Sequence, residues 1–256
     1  MRTGPSGNGE VGEEDLRDAS TGVTATDTED ELWAALHLKL HELLGATSIL
    51  YGFAHSRHAF RRVGVTPCLT IRHSHPSDYV ARFADESFLD DDLCTFVLWQ
   101  SDGPFLWADL ETTVAATPAQ LERARIDREM GMDVGVSVGF RFAGGQGVAG
   151  IGIAARWMPA DAFERRWRAH EDEVMDRLRA FEPLMRRRMI ERRLRLTRRQ
   201  SDVLRLSIAG MIGKEIAEEL GLSEGRVERL FREIRDRLEA ETTVEAAVKA
   251  IAFDLV

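Results

Sequence analysis

At 256 residues the chain is long enough for two modest domains. Its 44% hydrophobic and 30% charged residues are those of an ordinary globular protein, and no run approaches the ~18 consecutive apolar residues of a membrane-spanning helix. Residues 1–20 lack the apolar stretch of a secretory signal, and the two cysteines, Cys68 and Cys94, cannot build a disulfide framework, so a cytoplasmic location is expected.

Charge divides the chain. Residues 186–256 carry 16 basic and 13 acidic groups, whereas residues 1–185 carry 18 basic and 30 acidic, out of a total of −9. A basic C-terminal piece on an acidic N-terminal piece predicts two domains with different partners. A solvated arginine-rich helix is the plainer alternative, and charge alone does not separate the two.

In chain order, residues 1–28 are acidic, rich in Gly, Ser and Thr, and poor in apolar side chains, which predicts a disordered tail. From Asp30 the spacing of Leu32, Trp33, Leu36, Leu40, Leu43 and Leu44 predicts an amphipathic helix. Strands are expected at 48–54 and 68–72, then a helix over Pro76–Phe88. Thr117-Pro118 opens a helix over 118–130. Val134, Val136, Val138, Phe140 and Phe142 alternate with small or polar residues, and after Gly144-Gly145-Gln146-Gly147 a second run covers 148–155, which reads as a hairpin. A long helix over 159–190 runs into the basic stretch 186–196, read as a linker. The expected class is α+β: an α/β/α sandwich with an antiparallel sheet over 29–185, followed by an all-α four-helix domain over 197–256.

In that last part, Thr197 and Gln200 stand at capping-box spacing, Val203, Leu204 and Ile208 give the helix an apolar face, and Gly210 is placed to end it. A short helix Lys214–Leu220 stops at Gly221. Ser223 then caps a third helix with the stripe Val227, Phe231, Ile234 and Leu238. A fourth, behind Thr242 and Glu245, carries Val244, Val248, Ile251 and Leu255. Helices two and three have the size and connection of a helix-turn-helix, whose second helix enters the major groove. Lys214, Ser223, Arg226, Glu228, Arg229 and Arg232 are the candidate DNA-binding residues: arginine can bridge guanine O6 and N7, and glutamate can accept from cytosine N4. A helical bundle with a charged outer face would show the same periodicity.

The stretch from Leu196 to Leu204, with Gly210, Lys214-Glu-Ile-Ala217 and Leu220-Gly-Leu-Ser223, resembles the LuxR-type helix-turn-helix. Upstream, His75-Pro76-Ser-Asp-Tyr79-Val-Ala-Arg-Phe83 is similar to the Tyr-Pro-x-x-Trp-x-x-x-Tyr segment of the acyl-homoserine-lactone receptors of that family. Asp92, Trp107 and Gly135 follow at the family's intervals. The resemblance implies a quorum-sensing transcriptional regulator whose small-molecule signal is an acyl- or aryl-homoserine lactone or a near relative.

The family's roles then fall on five ligand-binding candidates. Asp92 would accept the ligand amide N–H, and Tyr79 and His75 would donate to its carbonyls where the family has Trp and Tyr. Phe83 and Trp107 would form aromatic walls. Gly135 is expected to serve its strand, where a side chain would collide with a neighbour. The resemblance further implies a homodimer on double-stranded DNA bearing an inverted repeat. Neither a cofactor nor a metal is expected, and no nucleophile–base arrangement suggests an enzyme. Two other readings of the N-terminal half stay open: a ligand-independent protein-interaction domain or a receptor for a non-lactone signal, and an enzyme or metal sensor using His55, His58, His73, His75 and Cys68.

Overall fold

The computed structural model describes residues 27–54, 70–83, 91–98, 100, 103–108, 110, 114–145, 147–253 and 255–256. The expected disorder of 1–26 falls outside these residues. Thr28, expected in the tail, caps helix α1 (Glu29–Leu44): its hydroxyl accepts from the Glu31 amide while the Glu31 carboxylate accepts from the Thr28 amide. All six apolar residues read from the α1 sequence are buried, and Gly45 closes the helix at φ 71°, a left-handed geometry suited to glycine.

Five strands form one antiparallel sheet: β1 (Ser48–Ala54), β2 (Thr70–His73), β3 (Pro104–Leu106), β4 (Gly135–Phe142) and β5 (Gly147–Ala154), in the order β2-β1-β5-β4-β3. The hairpin β4–β5 turns through Ala143–Gly145, with Gly144 and Gly145 both at positive φ. Alternation along the strands gives the sheet two unlike faces. Ile49, Tyr51, Phe53, Val136, Val138, Ile151 and Ile153 form a large-residue face in the main core together with side chains of α1 and of a 34-residue helix, α5 (Ala160–Arg193). The opposite face carries Gly135, Ser137, Gly150 and Gly152, and meets Leu98 and Trp107. Between them in sequence are α2 (Ser77–Val80), α3 (Leu93–Leu98) and α4 (Pro118–Glu129).

The helix expected over Pro76–Phe88 is a single turn. Beyond Val80 the bonds tighten to three-residue turns, Arg82 to Tyr79 and Phe83 to Val80, and residues 84–90 are not described. The basic stretch expected as a linker is helical as far as Arg193, and only Leu194–Thr197 leaves the helix before α6.

Four helices follow: α6 (Arg198–Ile208), α7 (Gly213–Leu220), α8 (Glu224–Arg237) and α9 (Thr243–Ala252). The expected caps are present. Thr197 and Gln200 form a full capping box, Gly210 and Gly221 take positive φ, and Ser223 and Thr242 accept from the Arg226 and Glu245 amides. The apolar faces differ in detail. Ile208 is half exposed, and Leu230 joins Val227, Ile234 and Leu238 in the core while Phe231 only borders it. On α9 the buried face is Ala246, Lys249 and Ala250, so Val244, Val248 and Ile251 point outward. Buried Lys249 closes α8: its Nζ donates to the carbonyls of Leu238 and Glu239 at 3.1 and 2.6 Å and pairs with Glu245. Among the described residues, no helix is long and apolar enough to cross a membrane.

Candidate functional site

Small residues on the second sheet face create the site. A Cβ at Gly135 would stand 2.2 Å from the Ile153 carbonyl oxygen and 2.7 Å from the Trp107 ring, and one at Gly150 would meet Leu98 at 2.7 Å. The close approach of Trp107 and α3 therefore requires glycine, as expected for Gly135. The space left beneath them is a cavity of about 70 Å³.

His75, Tyr79, Asp92 and Trp107 all line this cavity. Phe83 sits behind the wall, its ring edge-on to Tyr79 at 5.2 Å. Asp92 precedes α3 and works as its cap, accepting from the Cys94 and Thr95 amides at 3.3 and 2.8 Å and from the Thr95 hydroxyl at 2.6 Å. Asp92 thus holds its carboxylate in place while lining the cavity. Trp107 donates its indole N–H to Ser137 Oγ at 2.9 Å. His75 stands with Nδ1 3.1 Å from Ser48 Oγ and its ring edge-on to Tyr79. Burial, reinforced by His73 and the Arg123 cation, pushes the His75 pKa down to about 3, so the imidazole is neutral at physiological pH.

Two further cavity residues escape a reading of the sequence. Arg123 and Asp127 lie one turn apart on α4, and both Asp127 oxygens accept from Arg123 Nε, at 3.0 and 3.1 Å. The Tyr79 hydroxyl donates to Asp127 Oδ1 at 2.7 Å and accepts from Arg123 Nη2. The Arg123 guanidinium also lies 4.2 Å over the Phe83 ring. Burial holds the Tyr79 phenol well above its ordinary value, and it raises Asp127 against the opposing pull of Arg123. The missed signal is the helix itself: α4 carries no apolar stripe, and its buried residues are Gln120 and Arg123 while Leu121 is exposed.

Of the metal candidates, His55, His58 and Cys68 lie outside the described residues, and His73 and His75 are stacked rings 5.2 Å apart. No group of three potential metal ligands occurs among the described residues. Cys94 lines the cavity, and burial holds its thiol well above the ordinary value, so it is not a thiolate nucleophile.

The second region is the α7–α8 pair. Lys214, Ser223, Arg226, Glu228, Arg229 and Arg232 are all exposed, and apart from Lys214 they share α8 or its cap. Arg226 and Arg229 both approach Glu233, at 3.6 and 3.9 Å, which orients them along one face. The basic stretch before α6 is less available than its composition implied: Arg186 pairs with Glu182, Arg187 and Arg188 with Glu191, Arg192 with Glu29 and Arg193 with Glu239.

Residues 28–182 match the autoinducer binding domain family, and residues 194–250 match the family described as bacterial regulatory proteins, luxR family. No curated protein matches the chain. Among solved structures, Escherichia coli SdiA is similar with a TM-score of 0.51 at 18% identity, over 90% of this chain and 92% of that one. SdiA in complex with octanoyl-rac-glycerol gives 0.51 and 18% over 89% of each chain. CepR2 of Burkholderia cenocepacia, an N-acylhomoserine lactone dependent LuxR family transcription factor, gives 0.45 and 17% over 62% of this chain and 87% of that one. At these identities the SdiA likeness speaks for a shared fold, while the two family matches together span most of the chain. The chain belongs to the LuxR family and is a ligand-responsive, DNA-binding transcriptional regulator of the quorum-sensing type, with an autoinducer-binding domain ahead of a LuxR-type helix-turn-helix.

Proposed function

We propose that the signal is an acyl- or aryl-homoserine lactone or a close relative, held in the cavity between the glycine-rich sheet face and α2–α4. The observation that carries this reading is that His75, Tyr79, Asp92 and Trp107, far apart in sequence, line one cavity, with Phe83 packed behind Tyr79. Asp92 keeps a lone pair for a ligand amide N–H beyond the three it uses on α3. The site performs no catalysis, consistent with the protonated Cys94 thiol.

Ligand burial stabilises the domain by mass action and favours a cytoplasmic homodimer, which presents two α8 helices to an inverted repeat in double-stranded DNA. Lys214, Ser223, Arg226, Glu228, Arg229 and Arg232 make the DNA contacts. The outward apolar stripe of α9, Val244, Val248 and Ile251, supports the dimer, since an unpartnered apolar face gains by pairing with its own copy. The two units divide within 186–196, where α5 ends.

Mass spectrometry of extracts from purified protein, grown with and without a lactone panel, tests the reading. A bound lactone or related amide that raises the thermal midpoint is expected, with the shift lost in Asp92→Asn. Asparagine keeps one oxygen for capping α3 but loses the anionic acceptor. Empty extracts under every condition, with no midpoint shift, would favour the protein-interaction alternative.

A further inference from the structure

Resting on the receptor reading above, we infer that Arg123 and Asp127 set the specificity of the cavity, making Tyr79 a hydrogen-bond acceptor and selecting a head group that donates through hydroxyl or N–H groups. A phenol has one proton to give. Tyr79 gives it to Asp127 at 2.7 Å and receives a bond from Arg123 Nη2, so what it has left to offer a ligand is a lone pair. This arrangement is held firmly. The Arg123 and Asp127 side chains are only 8% and 16% exposed, Nε–H is shared between both carboxylate oxygens, and Phe83 covers the guanidinium face.

Two other polar groups of the lining have the same sense. Trp107 has its single indole proton on Ser137 Oγ, and Asp92 is a carboxylate. Two carboxylates against one guanidinium leave the lining with an excess of negative charge, and His75 is neutral. A ligand carbonyl aimed at Tyr79 would meet lone pairs with lone pairs, which forfeits a hydrogen bond. A hydroxyl in the same place completes the network. The class is therefore an acyl or aryl amide whose polar end carries hydroxyl or further N–H donors. The lactone ring, whose two oxygens only accept, is the weaker head group.

The test compares two amides of equal acyl chain, N-octanoyl-homoserine lactone and N-octanoyl-serinol. They share the amide N–H and differ in offering a ring carbonyl or two hydroxyls. Binding is followed by thermal shift and isothermal titration on the full chain. The serinol amide is expected to bind about tenfold more tightly. Tyr79→Phe, which leaves the Arg123–Asp127 pair intact, should bring the two affinities together. Tyr79→Trp, which returns an indole donor, should reverse the order. Equal or lactone-favouring affinities in the unaltered chain, unmoved by Tyr79→Phe, would overturn the inference and leave the receptor reading standing. Failure of either amide to bind, together with empty extracts, would overturn both.

Discussion

Phe253, at the end of α9, meets Phe53 of β1 edge-on, the ring centroids 5.7 Å apart and the planes at 82°. Phe142 of β4 lies 6.3 Å from Phe253 and beneath the Arg186 guanidinium, 4.2 Å away. Arg186 is held by Glu182, which also accepts from the Tyr51 hydroxyl at 3.3 Å. The last helix of the DNA-binding domain thus rests on the large-residue face of the sheet. The other face of β1 and β4 contributes Leu50 and Ser137 to the cavity.

Removing that ring should loosen the two domains from each other. Phe253→Ala deletes a side chain that is only 4% exposed, and the cost is expected at about 3 kcal/mol for a buried aromatic. Differential scanning calorimetry should resolve one cooperative transition into two, with the autoinducer-binding domain melting near its original temperature. A single unshifted transition would mean that the Phe53–Phe253 contact contributes nothing to holding the domains together.

What was legible in the sequence was local. Thr197 with Gln200, Gly221 followed by Ser223, and the apolar spacing of α1 each depend on residues within a turn or two, and each forms as read. The strands β4 and β5 were legible because alternation with a glycine turn specifies a hairpin without distant help. Strand β3 was not, since three residues, Pro104–Leu106, carry no period and gain their identity from pairing with β4. The Arg123–Asp127 pair was illegible for another reason. At i,i+4 on a charged helix it looks like a solvated surface pair, and only the packing of Phe83 and Tyr79 over it makes it a buried network. The outward face of α9 was likewise hidden, because a stripe reads alike whether it faces a core or a second copy.

His75 should make stability depend on pH in a defined window. Its value in the folded chain is about 3 against 6.5 when unperturbed. Below about pH 6.5 the unfolded chain takes up a proton that the native chain refuses, so stability falls as pH drops toward 3, by about 1.4 kcal/mol per unit at most. His75→Gln should flatten this loss. Unfolding free energies from urea titrations at about pH 7.5 and 5.5 should differ by about 1 kcal/mol less in the variant than in the unaltered chain. His37, also lowered by burial, contributes the same way in both proteins and cancels in the comparison. Equal slopes would show that the native His75 is free to protonate.

Gly135→Ala probes the cavity without altering a polar side chain. The added methyl would stand 2.2 Å from a backbone oxygen of β5 and 2.7 Å from Trp107, so the strand pairing or the indole has to shift. Overpacking of this kind costs about 1–3 kcal/mol. Because Trp107 then loses its seat on Ser137, signal-induced stabilisation should fall more than basal stability does. A variant that keeps both the thermal midpoint and the full ligand shift would show that the Trp107 wall is dispensable.

Arg229 separates base reading from phosphate attraction on α8. Its side chain is 68% exposed and lies near Glu233, which Arg226 shares at 3.6 Å. If Arg229 bridges a guanine edge, Arg229→Ala should cost about 1–3 kcal/mol at one base position and leave the salt dependence of binding nearly unchanged. Arg226 keeps Glu233 occupied in the variant, so the helix face should retain its orientation and the unfolding free energy should hold within about 0.5 kcal/mol of the original. Fluorescence anisotropy against a set of single-base operator variants, repeated at two salt concentrations, measures both quantities. A uniform loss across all sequences, with a shallower salt slope, would instead assign Arg229 to the phosphate backbone and leave Glu228 and Arg226 as the base-reading residues of the helix.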